Sequence, residues 1–351
     1  MRFAHLADCH LGGWRQPELR QLNLESFKKA IDICIERRVN FVIIAGDLFD
    51  SAYPPIEILE EAFFHLKRLK DARISCYIIA GSHDYSASGR TFLNVLEKAG
   101  FCKNLYNVEE KYGKLFLNPT IHENVALYGY PGKKSGLEVN ELRNVKLQDS
   151  PFFKIFALHT SIREALGNLP IDAIAKDELP EADYYALGHL HIDFLEERMV
   201  YGGPVFPNNF QELEELKYGR FYIIETTPFK TERIDLQLKD IEVFEMEISN
   251  AMIVTDIILR ELKKRKLKDK ILLLKLYGKL QQGKISNINF KEIENYAKEQ
   301  GAYTVVKSVS KIITEEATLN IEVEDVDKLE EKIIENYIKE NPSKFDSFIF
   351  S

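Results

Sequence analysis

Eight side chains that can hold a cation or move a proton fall at the ends of five apolar runs. The run Ala182–Leu187 leads through Gly188 into His189–Leu190–His191, and alternate side chains of an extended chain point the same way, so both imidazoles face one side. Phe3–Ala7 delivers Asp8 and His10 with the same spacing, and Cys9 between them points away. Phe41–Ala45 delivers Gly46–Asp47, Cys76–Ala80 delivers Gly81–Ser82–His83–Asp84, and Phe153–Leu158 delivers His159. Singly, each is an ordinary turn residue. Ligands of an open α/β sheet gather beyond the carboxyl ends of its strands, so the five ends together describe one pocket. Three carboxylates and five imidazoles without a thiolate suit a borderline divalent cation better than calcium or an iron–sulfur cluster. They are too many for one tetrahedral ion. Two ions about 3.5–4 Å apart, bridged by one carboxylate, would use them all and promote in-line displacement at phosphorus. The expected chemistry is phosphoester hydrolysis.

The elements that must position these residues read as α/β. With 351 residues the chain exceeds one ordinary domain, and its composition is that of a soluble globular protein. Cys9, Cys34, Cys76 and Cys102 show no paired spacing, which suggests buried thiols in a reducing compartment. No signal peptide opens the chain and no apolar run could span a bilayer, so a cytoplasmic, nucleoid-associated location with no membrane partner is expected. The net charge of −8 argues weakly against a nucleic-acid partner, although bound divalent cations would offset part of it at the pocket. Abundant Lys, Glu and Ile lean towards a heat-loving source.

Residues 1–228 alternate strand runs with helical patterns and form the first expected domain. A helix is predicted over 24–38 from Leu24, Phe27, Ile31 and Cys34, and Pro54–Pro55 opens the next, with Leu59, Phe63, Leu66 and Leu69 inward. Ile56 and Phe64 lie outside that stripe, and a helix over 89–99 carries Phe92, Leu93 and Leu96; the surplus is either a subunit interface or a twice-buried surface. Thr227–Pro228 marks the expected boundary. Residues 229–313 then read as a smaller α/β domain, whose basic run Arg260–Lys270 is a solvated helix face or a phosphate-backbone contact. Residues 314–351 turn acidic, then predict a helix with Val326, Leu329, Ile333 and Tyr337 on one face and a Phe-rich end. That end either docks on a partner or folds back on its own domain.

The ordered motif set resembles the calcineurin-like metallophosphoesterase superfamily. Within it the chain is similar to the double-strand-break repair nuclease family that includes bacterial SbcD and the archaeal Mre-eleven proteins. The narrower likeness rests on His5–Leu–Ala–Asp8–Cys–His10–Leu–Gly12, Ala45–Gly–Asp47–Leu–Phe–Asp50 with Pro54 after it, and Leu158–His159. It rests above all on Tyr201–Gly–Gly–Pro204, Phe210–Gln–Glu212 and Lys217–Tyr–Gly–Arg–Phe221, a run not expected in simple phosphatases. The likeness is strong over about two-thirds of the chain and rests on domain order alone over the rest.

This resemblance implies a two-sheet sandwich flanked by helices, a smaller α/β capping domain that contacts DNA, and a C-terminal helical tail. It implies that Asp8, His10 and His191 hold a first Mn2+, that Asp47 bridges, and that His159 and His189 hold a second, with Mg2+ or another divalent ion as a substitute. His83 would stabilise or protonate at the scissile phosphate, and Asp84 would orient His83. Asp50, Lys133 and Lys134 are the candidate substrate contacts. Implied partners are DNA ends, double- and single-stranded, a second copy of the chain through helices 56–70 and 89–99, and a coiled-coil ABC-type ATPase of the SbcC or Rad-fifty kind. Implied activities are 3′ to 5′ exonuclease on duplex and endonuclease on single strands. Two positions depart from the pattern. Ser82 stands where an asparagine amide usually ligates the second metal, which predicts weaker, asymmetric occupancy. Asp50 stands where relatives can carry a histidine. The alternatives are a small-molecule or phosphoprotein phosphoesterase, and a metal-poor scaffold that recruits the ATPase to DNA ends.

Overall fold

The computed structural model describes residues 1–85, 89, 91–133, 136–167 and 171–314. Lys134 and the expected tail helix with its Phe-rich end lie outside the described residues.

Two six-stranded sheets face each other. In the first, Arg2–Leu6 pairs in parallel with Phe41–Ala45, which pairs in parallel with Ser75–Ile79, and Lys103–Asn104 closes that edge. The other edge is antiparallel: Gly219–Thr226 pairs with Arg2–Leu6 and with Phe229–Leu236. In the second sheet, Val125–Tyr130, Phe153–His159, Tyr184–Gly188 and Met199–Tyr201 run in parallel, with Thr120–His122 and Leu195–Glu196 antiparallel at the edges. The central strands are apolar on both faces because both faces are covered. Phe3, Phe41, Ile43, Ile79, Leu127, Ile155, Ala157, Tyr184 and Ile224 fill the space between the sheets. Full burial of each large apolar side chain contributes about 1.5–3 kcal/mol.

Helices Pro17–Glu36 and Ile56–Asp71 cover the outer face of the first sheet, where all four cysteines lie buried among Phe27, Ile31, Leu66 and Leu69. The first helix begins earlier than its apolar stripe because Pro17 takes a first-turn position, where its missing N–H is no loss. The helix expected over 89–99 is the shorter Leu93–Lys98.

The expected boundary at Thr227–Pro228 is corrected. The chain turns there and returns as Phe229–Leu236, an edge strand of the first sheet, so the break falls inside a hairpin. A separate three-stranded parallel sheet begins at Asp240, from Asp240–Glu247, Lys270–Lys279 and Thr304–Ile313, with helices Val254–Leu262 and Phe290–Glu299 against it. Its other face packs on the sandwich. Ile271, Leu273 and Val306 meet Trp14, Leu19, Leu22, Phe206 and Leu213, and Lys275 Nζ lies 2.7 Å from Glu214 Oε1. No helix among the described residues is long and apolar enough to cross a membrane.

Candidate metal centre

The parallel strands of both sheets end on one side, and the candidate ligands hang from those ends. Asp8, His10, Asp47 and His189 all take left-handed backbone conformations, with φ of 51°, 41°, 49° and 103°. Side chains other than glycine rarely adopt φ in this range, and such residues collect where surrounding structure holds a functional geometry. Gly46 makes the approach feasible. It has φ of 90°, and a Cβ there would lie 2.1 Å from His159 Nδ1. The first loop is stitched to the second by Asp8 N–H to Gly46 O at 3.1 Å and His10 N–H to Asp47 O at 3.0 Å.

Two groups of ligand atoms result. Asp8, His10 and His191 form one, and Asp8, Asp47 and His159 the other. Asp47 lies between them, with Oδ2 3.1 Å from His159 Nε2 and 3.8 Å from His10 Nε2 while Oδ1 accepts the His83 N–H at 2.9 Å. Asp8 Oδ1 accepts the His189 N–H at 2.9 Å and lies 3.8 Å from His159 Nδ1 and 3.9 Å from His191 Nε2. The His189 ring sits 5.2 Å, centroid to centroid, from that of His159. Ser82 is buried in the neighbouring loop between Gly81 and His83. His10, Asp50 and His83 form a third group at the open side of the first.

The tautomers make a case for cations. His159 Nδ1 lies 3.0 Å from Ala45 O, so Nδ1 carries the proton and Nε2 turns its lone pair to the Asp47 carboxylate. His191 Nδ1 lies 2.9 Å from Glu212 Oε1, so its Nε2 lone pair faces His10 Nε2 at 3.1 Å. Asp8 Oδ2 is buried with no hydrogen-bond partner, and the buried His159 Nε2 has only the Asp47 carboxylate beside it. The His10–His191 contact is satisfied when one Nε2 carries a proton, whereas a buried carboxylate facing an imidazole lone pair is costly until a positive charge lies between them. In the protein without metal that charge is a proton. Burial opposes an imidazolium at His159, yet the Asp47 and Asp8 carboxylates raise its pKa to about 9. Burial likewise works to raise Asp47, and His159, His83 and His10 outweigh it and hold the carboxyl well below its usual range. The donor set of nitrogen and carboxylate oxygen fits borderline divalent ions.

Asp84 differs from its expected role. Its carboxylate accepts Phe49 N–H at 3.1 Å and Gly81 N–H at 2.9 Å, and His83 Nδ1 lies 2.9 Å from Asp50 O instead. Asp84 therefore ties the Asp47 loop to the His83 loop through their backbones. Burial and the nearby Asp47 push its pKa up to about 7. Asp50, expected at the substrate, turns its side chain to His10, with Oδ1 3.3 Å from Nδ1. Lys133 Nζ lies 2.5 Å from both carboxylate oxygens of Glu141 in a partly exposed ion pair.

Two residues at the site carry roles that the sequence did not assign, although Glu212 lies in the motif run quoted above. Glu212 Oε2 accepts the Asn208 N–H at 2.7 Å while Oε1 holds His191, and Asn208 Nδ2 donates to Asp50 Oδ1 at 3.2 Å. Asn209 caps helix Phe210–Glu215 by accepting the Glu212 N–H at 2.9 Å, so the only local signal of Asn209-x-x-Glu212 is a helix start. His5, quoted in the first motif, is a core residue. It hydrogen-bonds Tyr184 OH at 2.9 Å and Leu187 O at 3.1 Å, and burial lowers its pKa to about 3.

Comparison with known proteins agrees with this chemistry. The calcineurin-like phosphoesterase family matches residues 1–193. The DNA double-strand break repair protein Mre11 of Methanocaldococcus jannaschii is 29% identical over 259 residues, covering 70% of this chain and 68% of that one. Mre11 of Sulfolobus acidocaldarius is 35% identical over 204 residues, 54% of this chain and 50% of that one. The uncharacterized metallophosphoesterase YhaO of Bacillus subtilis is 25% identical over 245 residues, 65% of this chain and 58% of that one. The chain thus spans half to two thirds of the length of these curated relatives. With the matched residues carrying every candidate ligand, the chain belongs to the calcineurin-like phosphoesterase family.

Proposed function

We propose that the chain is a metal-dependent nuclease that trims DNA ends during double-strand break repair. The observation that carries the hydrolytic part is the convergence of Asp8, His10, Asp47, His159 and His191, whose nitrogen and carboxylate oxygen atoms gather within the reach of shared divalent cations. The DNA part rests on the similarity to Mre11 proteins.

Asp8, His10 and His191 would hold one Mn2+, His159, His189 and Ser82 the other, and Asp47 would touch both. Such ions, when bound, polarise a phosphodiester and supply the nucleophile at neutral pH. The chain's own residues do the rest. His83 donates Nδ1–H to Asp50 O, which fixes its ring beside the first group, where it would stabilise charge on the phosphate or protonate the leaving oxygen. The burial of Asp8, Asp47 and His159 excludes bulk water from the inner half of the site and strengthens every interaction there.

The proposed activities are 3′ to 5′ exonuclease on duplex and endonuclease on single strands, in company with a coiled-coil ABC-type ATPase. The small sheet, from Asp240 onward, would cap the DNA. A second copy would pack on helices Ile56–Asp71 and Leu93–Lys98, which leave Ile56, Phe64 and Val95 70%, 57% and 47% exposed.

The test uses end-labelled duplex DNA with purified protein and Mn2+. The expected result is stepwise loss from the 3′ end, abolished by EDTA and reduced by about a hundredfold or more in His83→Gln, as befits a proton-transfer residue. Hydrolysis of p-nitrophenyl phosphate with intact DNA would move the reading to a small-molecule phosphatase. Protein that binds DNA ends but hydrolyses nothing would make it a scaffold.

A further inference from the structure

His10 and His191 face each other through their Nε2 atoms, and each is backed on its far side by a carboxylate. His191 Nδ1 donates to Glu212 Oε1 at 2.9 Å, whereas His10 Nδ1 lies 3.3 Å from Asp50 Oδ1 as a charge contact without hydrogen-bond geometry. The two carboxylates come from loops 162 positions apart and share one residue. Asn208 gives its backbone N–H to Glu212 Oε2 at 2.7 Å and its side-chain amide to Asp50 Oδ1 at 3.2 Å. Gly13 leaves room for this crossing, because a Cβ there would lie 2.4 Å from Asn208 Oδ1 and 2.8 Å from Asp50 Oδ1.

We propose that Asp50, Asn208 and Glu212 form one positioning bridge that orients His10 and His191 as a pair and raises their basicity toward a shared divalent cation. A carboxylate accepting the distal N–H of a ligating imidazole fixes its tautomer and makes the other nitrogen a better donor. Here one residue, through its backbone N–H and its side-chain amide, sets the spacing of both carboxylates, and so the angle between both rings. Asp50 also reaches His83 through its backbone carbonyl, at 2.9 Å from Nδ1. The same short stretch therefore sets the distance between the cation and the ring that faces the phosphate. The purpose of the bridge rests on the two-cation reading above, but its existence is read from metal binding rather than from DNA cleavage.

The experiment is calorimetric titration of the full chain with Mn2+, alongside the melting temperature of each metal-free variant. Asp50→Asn keeps the side-chain shape and removes the charge, Glu212→Gln does the same at His191, and Asn208→Ala removes the crosslink. Each is expected to weaken one of two Mn2+ sites by roughly ten- to a hundredfold, the range typical of lost outer partners, and to leave the other site unchanged. Asp50→Asn combined with Asn208→Ala is expected to be no worse than the weaker-binding single variant, since both cut one path. Unchanged Mn2+ affinity in all three, or losses that only follow a drop in metal-free melting temperature, overturns the bridge. Asn208-dependent Mn2+ binding in a protein that leaves DNA intact would uphold the bridge and sink the nuclease reading.

Discussion

The two corners of the metal centre are built on different principles. At the outer corner, His10 and His191 are aimed by side chains, with Asp50 and Glu212 behind them and Asn208 between. At the inner corner, His159 is aimed by backbone, with its Nδ1–H on Ala45 O and Gly46 pressed against its ring. The outer corner is partly open, with the Asp50 side chain 31% exposed, whereas Asp8, Asp47 and His159 are buried. A corner held by backbone tolerates almost no change nearby, while one held by side chains can be tuned one substitution at a time.

The most severe way to break the comparison is Asp47→Ala, because its Oδ2 reaches toward both corners. Titration is expected to show both Mn2+ sites lost, and hydrolysis of any phosphodiester to fall by about a thousandfold or more, matching the several kcal/mol such ions supply. Gly46→Ala should strike the inner corner hardest, since its Cβ would sit 2.1 Å from His159 Nδ1. The expected readout is one weakened Mn2+ site and a fold destabilised by about 1–3 kcal/mol of strain, seen as a lower melting temperature.

A pH series sharpens the contrast further. The His159 proton, held to about pH 9 in the metal-free protein, must leave before Nε2 can bind a cation. Mn2+ affinity at the inner corner should therefore climb by up to about tenfold per pH unit towards pH 9. The sign for stability is opposite. With a folded pKa above the unfolded value, the imidazolium stabilises the metal-free fold fully below about pH 6.5, and that contribution is lost as pH rises through about 9. A flat affinity across this window would show that His159 does not compete with the ion.

The smallest effect is expected from Ser82→Asn, which supplies the longer amide usual in the resembling family. Calorimetry should show the weaker Mn2+ site tightening by roughly threefold to tenfold, within the range a single added oxygen donor contributes. Two sites already equal in the unaltered protein would remove the reason for the substitution.

What the sequence revealed follows from where physics is local. Strand ends announce themselves because a polar ligand interrupts an apolar run, so Asp8, Asp47, His159 and the His189–His191 pair could be placed at strand ends from pattern alone, although those strands belong to two facing sheets rather than one. The parallel sheets behind them followed from the same runs. The hairpin at Thr227–Pro228 was misread as a boundary because a turn between two strands of one sheet looks the same in sequence as a turn between domains. Asp84 looked like a partner for its neighbour His83, yet its carboxylate spans to backbone N–H groups of Phe49 and Gly81. Asn208 and Glu212 carry no local sign of their role, since Asn209-x-x-Glu212 already has a complete explanation as a helix cap. Their second task exists only once the chain has brought position 208 beside position 50.

Trp14 has a consequence for how the small sheet communicates with the rest. Its indole N–H is hooked to Pro207 O at 2.8 Å, one residue before Asn208, while its ring is wedged among Ile271, Leu273 and Val306. The small sheet is thus packed, through Trp14, against the loops on both sides of the outer corner, the one bearing His10 and the one bearing Asn208. Whatever grips that sheet has a handle on the aim of a pair of imidazoles it never touches.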